Sequence, residues 1–137
     1  MTALTGGCYC GAIRYASTGT PVMKSQCHCR ECQYISGGGP NYFMILPTDG
    51  FRYTAGTPNS FTRSDLDTPV TREFCPGCGT HLLTRRPGLD MVILKVGTLD
   101  HPAEYGGPES AIYIMDAQPF HLIPEDLPGF EKLPPRR

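Results

Sequence analysis

Seven cysteines fall in three tight groups along this chain: Cys8 and Cys10 in GGCYCG, Cys27, Cys29 and Cys32 in QCHCRECQ, and Cys75 and Cys78 in FCPGCGT. An odd number of thiols cannot pair completely as disulfides. The opening MTALTGGCYC has no basic segment followed by an apolar run, so no secretory signal is expected. A reducing, cytoplasmic setting follows as the expectation. There, clustered cysteines serve metal binding or redox chemistry more often than structural disulfides.

The rest of the sequence says what those thiols are mounted on. Sixteen glycines and fourteen prolines recur through 137 residues and leave little room for a long helix. Between them lie short segments rich in β-branched and aromatic residues. Strands are predicted at 12–17, 22–27, 41–46, 51–54, 60–64, 70–75, 80–85, 91–96 and 111–115. The expected fold class is mainly β: one small domain of short antiparallel strands in a sandwich or barrel-like arrangement. The domain is expected over residues 1–132. Residues 133–137 should form a frayed tail, since LPPRR offers little to bury. No apolar run is long enough to span a membrane. The net charge of −1 argues against nucleic acid as a partner. Seven thiolates and two zinc ions would take that charge to about −4, because ligating cysteines are deprotonated.

Spacing groups the thiols. In a strand, positions i and i+2 share a face, so Cys8 and Cys10 can present two sulfurs together while Tyr9 points away. Cys75, Pro76, Gly77 and Cys78 read as a zinc knuckle. Two plus two gives a closed four-cysteine site of the structural type. A redox dithiol would need a helix after the C-x-x-C, and here Gly79 and the strand-like THLLT follow. Cys27, Cys29 and Cys32 can converge on a second ion. Their fourth partner is either His28 or His81, closing the site, or an open position for water or substrate, as in catalytic zinc sites. Spacing alone also permits Cys8 and Cys10 to pair with members of the 27–32 group.

The motifs GGCYCGAIRY (6–15), CHCRECQYISGGG (27–39), REFCPGCGTHL (72–82) and VGTLD (96–100) together resemble the glutathione-dependent formaldehyde-activating enzyme family, which includes the centromere protein V type of domain. The resemblance implies a zinc-supported β-tent fold and two zinc ions per chain. It assigns a structural zinc to Cys8, Cys10, Cys75 and Cys78, and a functional one to Cys27, Cys29 and Cys32. It implies a carbon–sulfur lyase type of activity, joining glutathione to formaldehyde as S-hydroxymethylglutathione. Family members often carry a Trp near the domain end. This chain has none, and offers Phe120 there.

The expected partners are therefore a small thiol such as glutathione and a small aldehyde. Gly37, Gly38, Gly39 and Arg30 are candidate contacts for the thiol, the glycines because they let a ligand approach the backbone. Arg63, Arg72, Arg85, Arg86 and Lys95 are further candidates for carboxylate binding. His28 and His81 are candidate proton carriers. His101 and His121 have no cysteine neighbours and are given no role. Tyr34, Phe43 and Phe120 are read as core or pocket wall. Two other functions compete: a zinc-stabilised binding module without catalysis, and a thiol redox enzyme, which needs a free cysteine.

Overall fold

The computed structural model describes residues 3–135. Ten strands follow in chain order: β1 (Leu4–Gly7), β2 (Arg14–Ser17), β3 (Met23–Cys27), β4 (Asn41–Pro47), β5 (Phe51–Ala55), β6 (Asn59–Thr62), β7 (Thr71–Phe74), β8 (His81–Arg85), β9 (Met91–Lys95) and β10 (Ala111–Ile112). One short helix, α1 (Arg30–Ser36), lies between β3 and β4. The strands form a three-stranded sheet, β1-β2-β5, and a seven-stranded sheet, β10-β3-β4-β9-β8-β7-β6. Every predicted strand is present, and β1 is an addition to them. Its LTGG carries two glycines and none of the β-branched run that marks the others, apart from Thr5.

Those glycines are there for contact. A Cβ on Gly7 would sit 2.2 Å from the Ile13 carbonyl oxygen, and one on Gly6 would sit 2.3 Å from that of Thr98. The chain can pass this closely only without side chains.

Two expectations need correction. The pairing is not wholly antiparallel: β10 runs parallel to β3, with Ala111 opposite Gln26 and Ile112 opposite Cys27. The strand predicted over 111–115 is also cut to two residues. Tyr113 takes a left-handed backbone at φ 53°, and a 3-10 turn at Ile114–Asp116 follows. Of the predicted tail at 133–137, residues 136 and 137 lie outside the described residues.

Alternation along the central strands divides the interior in two. Met44 and Leu46 of β4, with Val92 and Leu94 of β9, join Ile13, Tyr15 and Leu83 in a core between the two sheets. Their neighbours Phe43, Ile45 and Ile93 project to the other face, where they pack with Cys27, Cys32 and Ile112. The period of two therefore separates a sealed core from a second, thiol-bearing apolar face. Full burial of each large aliphatic in the sealed core contributes about 1.5–3 kcal/mol.

Candidate metal centres and substrate cleft

The four sulfurs of Cys8, Cys10, Cys75 and Cys78 lie within 4.8 Å of one another, and so do the three of Cys27, Cys29 and Cys32. The structure thus brings Cys8 and Cys10 to the knuckle rather than to the middle group. Neither cluster includes a histidine among the described residues, so neither His28 nor His81 supplies a fourth ligand.

The first cluster joins the two sheets. β1 ends at Gly7, so Cys8 and Cys10 sit in a turn and not in a strand as expected. That turn closes through Cys8 N–H to the Ile13 carbonyl at 3.0 Å and Gly11 N–H to the Cys8 carbonyl at 3.1 Å. The knuckle closes through Gly79 N–H to the Cys75 carbonyl at 2.8 Å. The Cys8 and Cys10 sulfurs are 3.5 Å apart, and those of Cys10 and Cys75 3.7 Å. Backbone N–H groups aim at the sulfurs: Ile13 at Cys8 (3.2 Å), and Gly77 and Cys78 at Cys75 (3.3 and 3.4 Å). Donors of this kind favour thiolate over thiol. The Thr80 hydroxyl, 3.2 Å from Cys78, pushes that thiol down to about 5. Tyr9 points out and is 94% exposed, in line with its predicted direction. Four converging sulfurs met by N–H donors fit a tetrahedral soft-ligand ion such as zinc.

The second cluster sits on the open face of the large sheet. Cys27 ends β3, Cys29 caps the N-terminus of α1, and Cys32 lies in its first turn. Here too a strand-to-helix transition, and not strand alternation, brings the sulfurs together. Cys32 N–H donates to the Cys29 sulfur at 3.3 Å, and the Asn41 amide donates to the Cys32 sulfur at 3.7 Å. Negative charge settles first on Cys29, which hydrogen bonds from Cys27 and Cys32 push down to about 2. The same contacts hold Cys27 well above the usual thiol range. Three sulfurs with two N–H donors suit a metal with one place left for another ligand.

A cleft of about 300 Å³ opens beside these three thiols. Phe43, Ile45, Ile93 and Met23 make its floor, with Ile112 and Tyr113 at one side. Three cations line it: Arg72, Arg86 and Lys95. Lys95 is only 8% exposed, and burial pushes its ammonium down to about 8. Arg72 is held by Glu31 at 2.9 Å. Arg86 and Lys95 make no ion pair among the described residues. Tyr113 is the one non-glycine residue described with positive φ. Strained backbone of this kind concentrates at functional sites.

Apart from Phe43, the remaining sequence candidates lie outside the lining of this cleft. The Arg30 guanidinium bonds the Gln33 side chain and stacks 5.0 Å from the Tyr34 ring centre. Gly37 terminates α1 at φ 87°. The Gly38 carbonyl accepts from His121 Nε2 at 2.7 Å, and the Gly39 carbonyl accepts from Ser36 Oγ. None of these four residues lines the thiol-bearing cleft. Arg63 pairs with Asp65, and Arg85 with Glu73. Phe43 is a cleft wall, but Tyr34 and Phe120 are 79% and 71% exposed and belong to neither core.

His28 is fully buried behind the cluster, with Nε2 2.9 Å from the Gln26 amide and Nδ1 3.1 Å from His121 Nδ1. His121 therefore has a structural partner that its own neighbourhood does not signal, because 93 residues separate it from His28. His81 has neither ring nitrogen bonded, and burial pushes it down to about 3. No helix among the described residues is long and apolar enough to cross a membrane.

Comparison with solved structures finds the same fold in the crystal structure of a Rhodobacter sphaeroides protein, with a TM-score of 0.61 at 17% sequence identity, covering 76% of this chain and 96% of that one. The family model for the glutathione-dependent formaldehyde-activating enzyme matches residues 3–116, a stretch that contains all seven cysteines and the three strands, β3, β4 and β9, that floor the cleft. The chain belongs to the glutathione-dependent formaldehyde-activating enzyme family.

Proposed function

We propose that this chain is a zinc-dependent enzyme of the carbon–sulfur lyase type, acting on the adduct of a small thiol and an aldehyde. Family membership supports catalysis of that type. The observation that carries the reading is the contrast between the two clusters. One has four sulfurs, a full tetrahedral set; the other has three and faces an apolar cleft. In this reading Cys8, Cys10, Cys75 and Cys78 hold a structural zinc within a domain that supports the fold in the β-tent manner, and Cys27, Cys29 and Cys32 hold the working one. Every cysteine falls in one cluster or the other, which leaves no separate thiol for a redox enzyme.

The reaction joins the thiol sulfur to the carbonyl carbon. The thiol proton ends on the former carbonyl oxygen, and no oxidant or reductant is needed. A zinc ion at the three-cysteine site supplies thiolate stabilisation and Lewis acidity. The protein's own groups do the rest. Asn41 fixes the Cys32 sulfur. Lys95, buried beside the cluster, offsets the net negative charge that three thiolates and a divalent ion would carry. Arg72 and Arg86 can orient a carboxylate of the thiol partner. The apolar floor excludes water and so strengthens these interactions. His28 is a positioning residue, because both its ring nitrogens are committed to Gln26 and His121.

The test is to mix the zinc-loaded protein with glutathione, or other small thiols, and a panel of aldehydes, following adduct exchange by NMR. Acceleration that disappears in Cys29→Ser is the expected result. No acceleration for any pair would leave a non-catalytic zinc-stabilised module as the better reading.

A further inference from the structure

The cleft's lining is lopsided in charge. Three of its residues are cations, and its one carboxylate, Glu31, is already bonded to Arg72 at 2.9 Å. Arg86 is exposed at its rim and Lys95 buried at its floor, and neither has a carboxylate partner among the described residues. Lys95 is set against the three thiols, which carry one net negative charge when a divalent ion is bound, so the lining is left with the unbalanced positive charge of Arg86, which an anionic ligand would offset. The same lining carries an apolar surface made by Met23, Phe43, Ile45, Ile93 and Ile112. The volume, about 300 Å³, is at the small end for organic ligands.

Glutathione matches this lining poorly. It carries an ammonium group and two amide units besides its carboxylates. Its ammonium would meet cations and find no free carboxylate. Its amides would find few partners, since of the lining's neutral polar side chains Asn41 is bonded to Cys32 and Thr84 to Arg72, leaving Thr68 and Tyr113, and unpaired polar groups are penalised. Formaldehyde, for its part, has no substituent to cover Ile45 and Ile93.

We propose that the cleft selects an apolar-bodied carboxylate, a compound with a hydrocarbon or aryl body and no ammonium group, in preference to the zwitterionic tripeptide. In this arrangement the body covers Phe43, Ile45 and Ile93, and the carboxylate meets Arg86 and Lys95. That such a compound is also the thiol or carbonyl substrate rests on the function proposed above; the selectivity of the cleft does not.

The probe is therefore chosen to be unreactive. 3-Phenylpropionate, S-methylglutathione and 2-phenylethylamine are titrated separately into the zinc-loaded protein, with binding followed by heteronuclear NMR and calorimetry. 3-Phenylpropionate is expected to bind at least tenfold more tightly than either of the others. Shifts should fall on Phe43, Ile45 and Ile93. Arg86→Met, at an exposed position that tolerates substitution, should weaken it about tenfold, and Lys95→Met at least as much, as the loss of a charge-assisted contact predicts. Equal or tighter binding of S-methylglutathione or the amine overturns the inference. So does undiminished phenylpropionate binding in Arg86→Met and in any folded Lys95→Met. If phenylpropionate binds as expected while no thiol–aldehyde pair is accelerated, the catalytic reading fails and the selectivity stands. If glutathione adducts are accelerated and phenylpropionate is not preferred, the selectivity fails and the catalytic reading stands.

Discussion

His28 Nδ1 lies 3.1 Å from His121 Nδ1, and the bonds around the two rings fix where their protons sit. Gln118 N–H donates to His121 Nδ1 at 3.1 Å, so that nitrogen is an acceptor. His121 Nε2 must then carry the proton it donates to the Gly38 carbonyl at 2.7 Å. His28 Nδ1 in turn donates to His121, and its Nε2 accepts from the Gln26 amide at 2.9 Å. The two rings wire β3 to the glycine loop through the segment after residue 117. Gln33 supports the same junction by donating to the carbonyls of His28 (2.9 Å) and Asp116 (3.0 Å).

His121→Ala breaks this wire at its middle. It leaves a fully buried His28 N–H without an acceptor and frees the Gly38 carbonyl. The expected loss is about 1–3 kcal/mol of stability, the penalty for one buried unsatisfied donor. Urea unfolding of the zinc-loaded protein measures it. A loss within a few tenths of a kcal/mol would mean that the contact is incidental.

The two cysteine clusters should fail differently. Cys8 follows β1 of the small sheet, and Cys75 follows β7 of the large one, so the four-sulfur cluster ties the sheets together. Metal binding to such a site is folding free energy. Cys75→Ser is expected to abolish cooperative folding and lower zinc content to less than one ion per chain. Cys29→Ser, at the edge of the open cleft, should leave a folded protein holding about one zinc where the parent holds about two, on the stoichiometry proposed here. Native mass spectrometry and circular dichroism give both readouts. Equal loss of fold from the two variants would contradict the division of labour.

The strand pattern and the cysteine grouping are legible in the sequence because both depend on short-range spacing. Short runs rich in β-branched and aromatic residues, set between glycines and prolines, mark nine of the ten strands, and thiols three or fewer residues apart can be read as cooperating ligands. The cleft is less so. Lys95 and Arg72 stand only among several possible cations, since burial and pairing depend on β9 and β7 lying in one sheet. Phe120 faces water against expectation, while Tyr34, though largely exposed, walls a separate groove with Ile35, Phe61 and Leu66, because aromatic character alone does not say which side of a turn or short helix is outermost. The His28–His121 contact has no sequence signal at all. It exists because β10 pairs parallel with β3 and carries the following segment back over α1.

Leu94 and its neighbour Ile93 test the two-faced sheet. Leu94 is fully buried between the sheets, while Ile93 is part-buried on the cleft floor. Leu94→Ala should cost about 2–5 kcal/mol, the range for cavity-forming core truncations. Ile93→Ala should cost about half of that or less, because its side chain is partly solvated already. The comparison needs only denaturation midpoints at constant slope. Equal costs would show that the open face is packed as tightly as the core.

His81 gives the fold a dependence on acid. Its two ring nitrogens are buried without partners, and burial holds the ring neutral, with its pKa pushed down to about 3 from the ordinary 6.5. Between those two values the unfolded chain binds a proton that the folded chain refuses. Stability at this position is therefore fully present above pH ~6.5 and falls as the solution is acidified toward pH ~3. His81→Leu removes both the orphaned nitrogens and the titration. At pH ~7.5 it should be neutral or mildly stabilising, since no hydrogen bond is lost. Its advantage over the parent should then widen steadily from about pH 7 to about pH 5, measured as the difference in urea midpoint at each pH with both proteins zinc-loaded. Acid release of zinc affects parent and variant alike and cancels in that difference. A gap that stays constant across the range would mean that His81 takes up its proton in the folded state as readily as in the unfolded one.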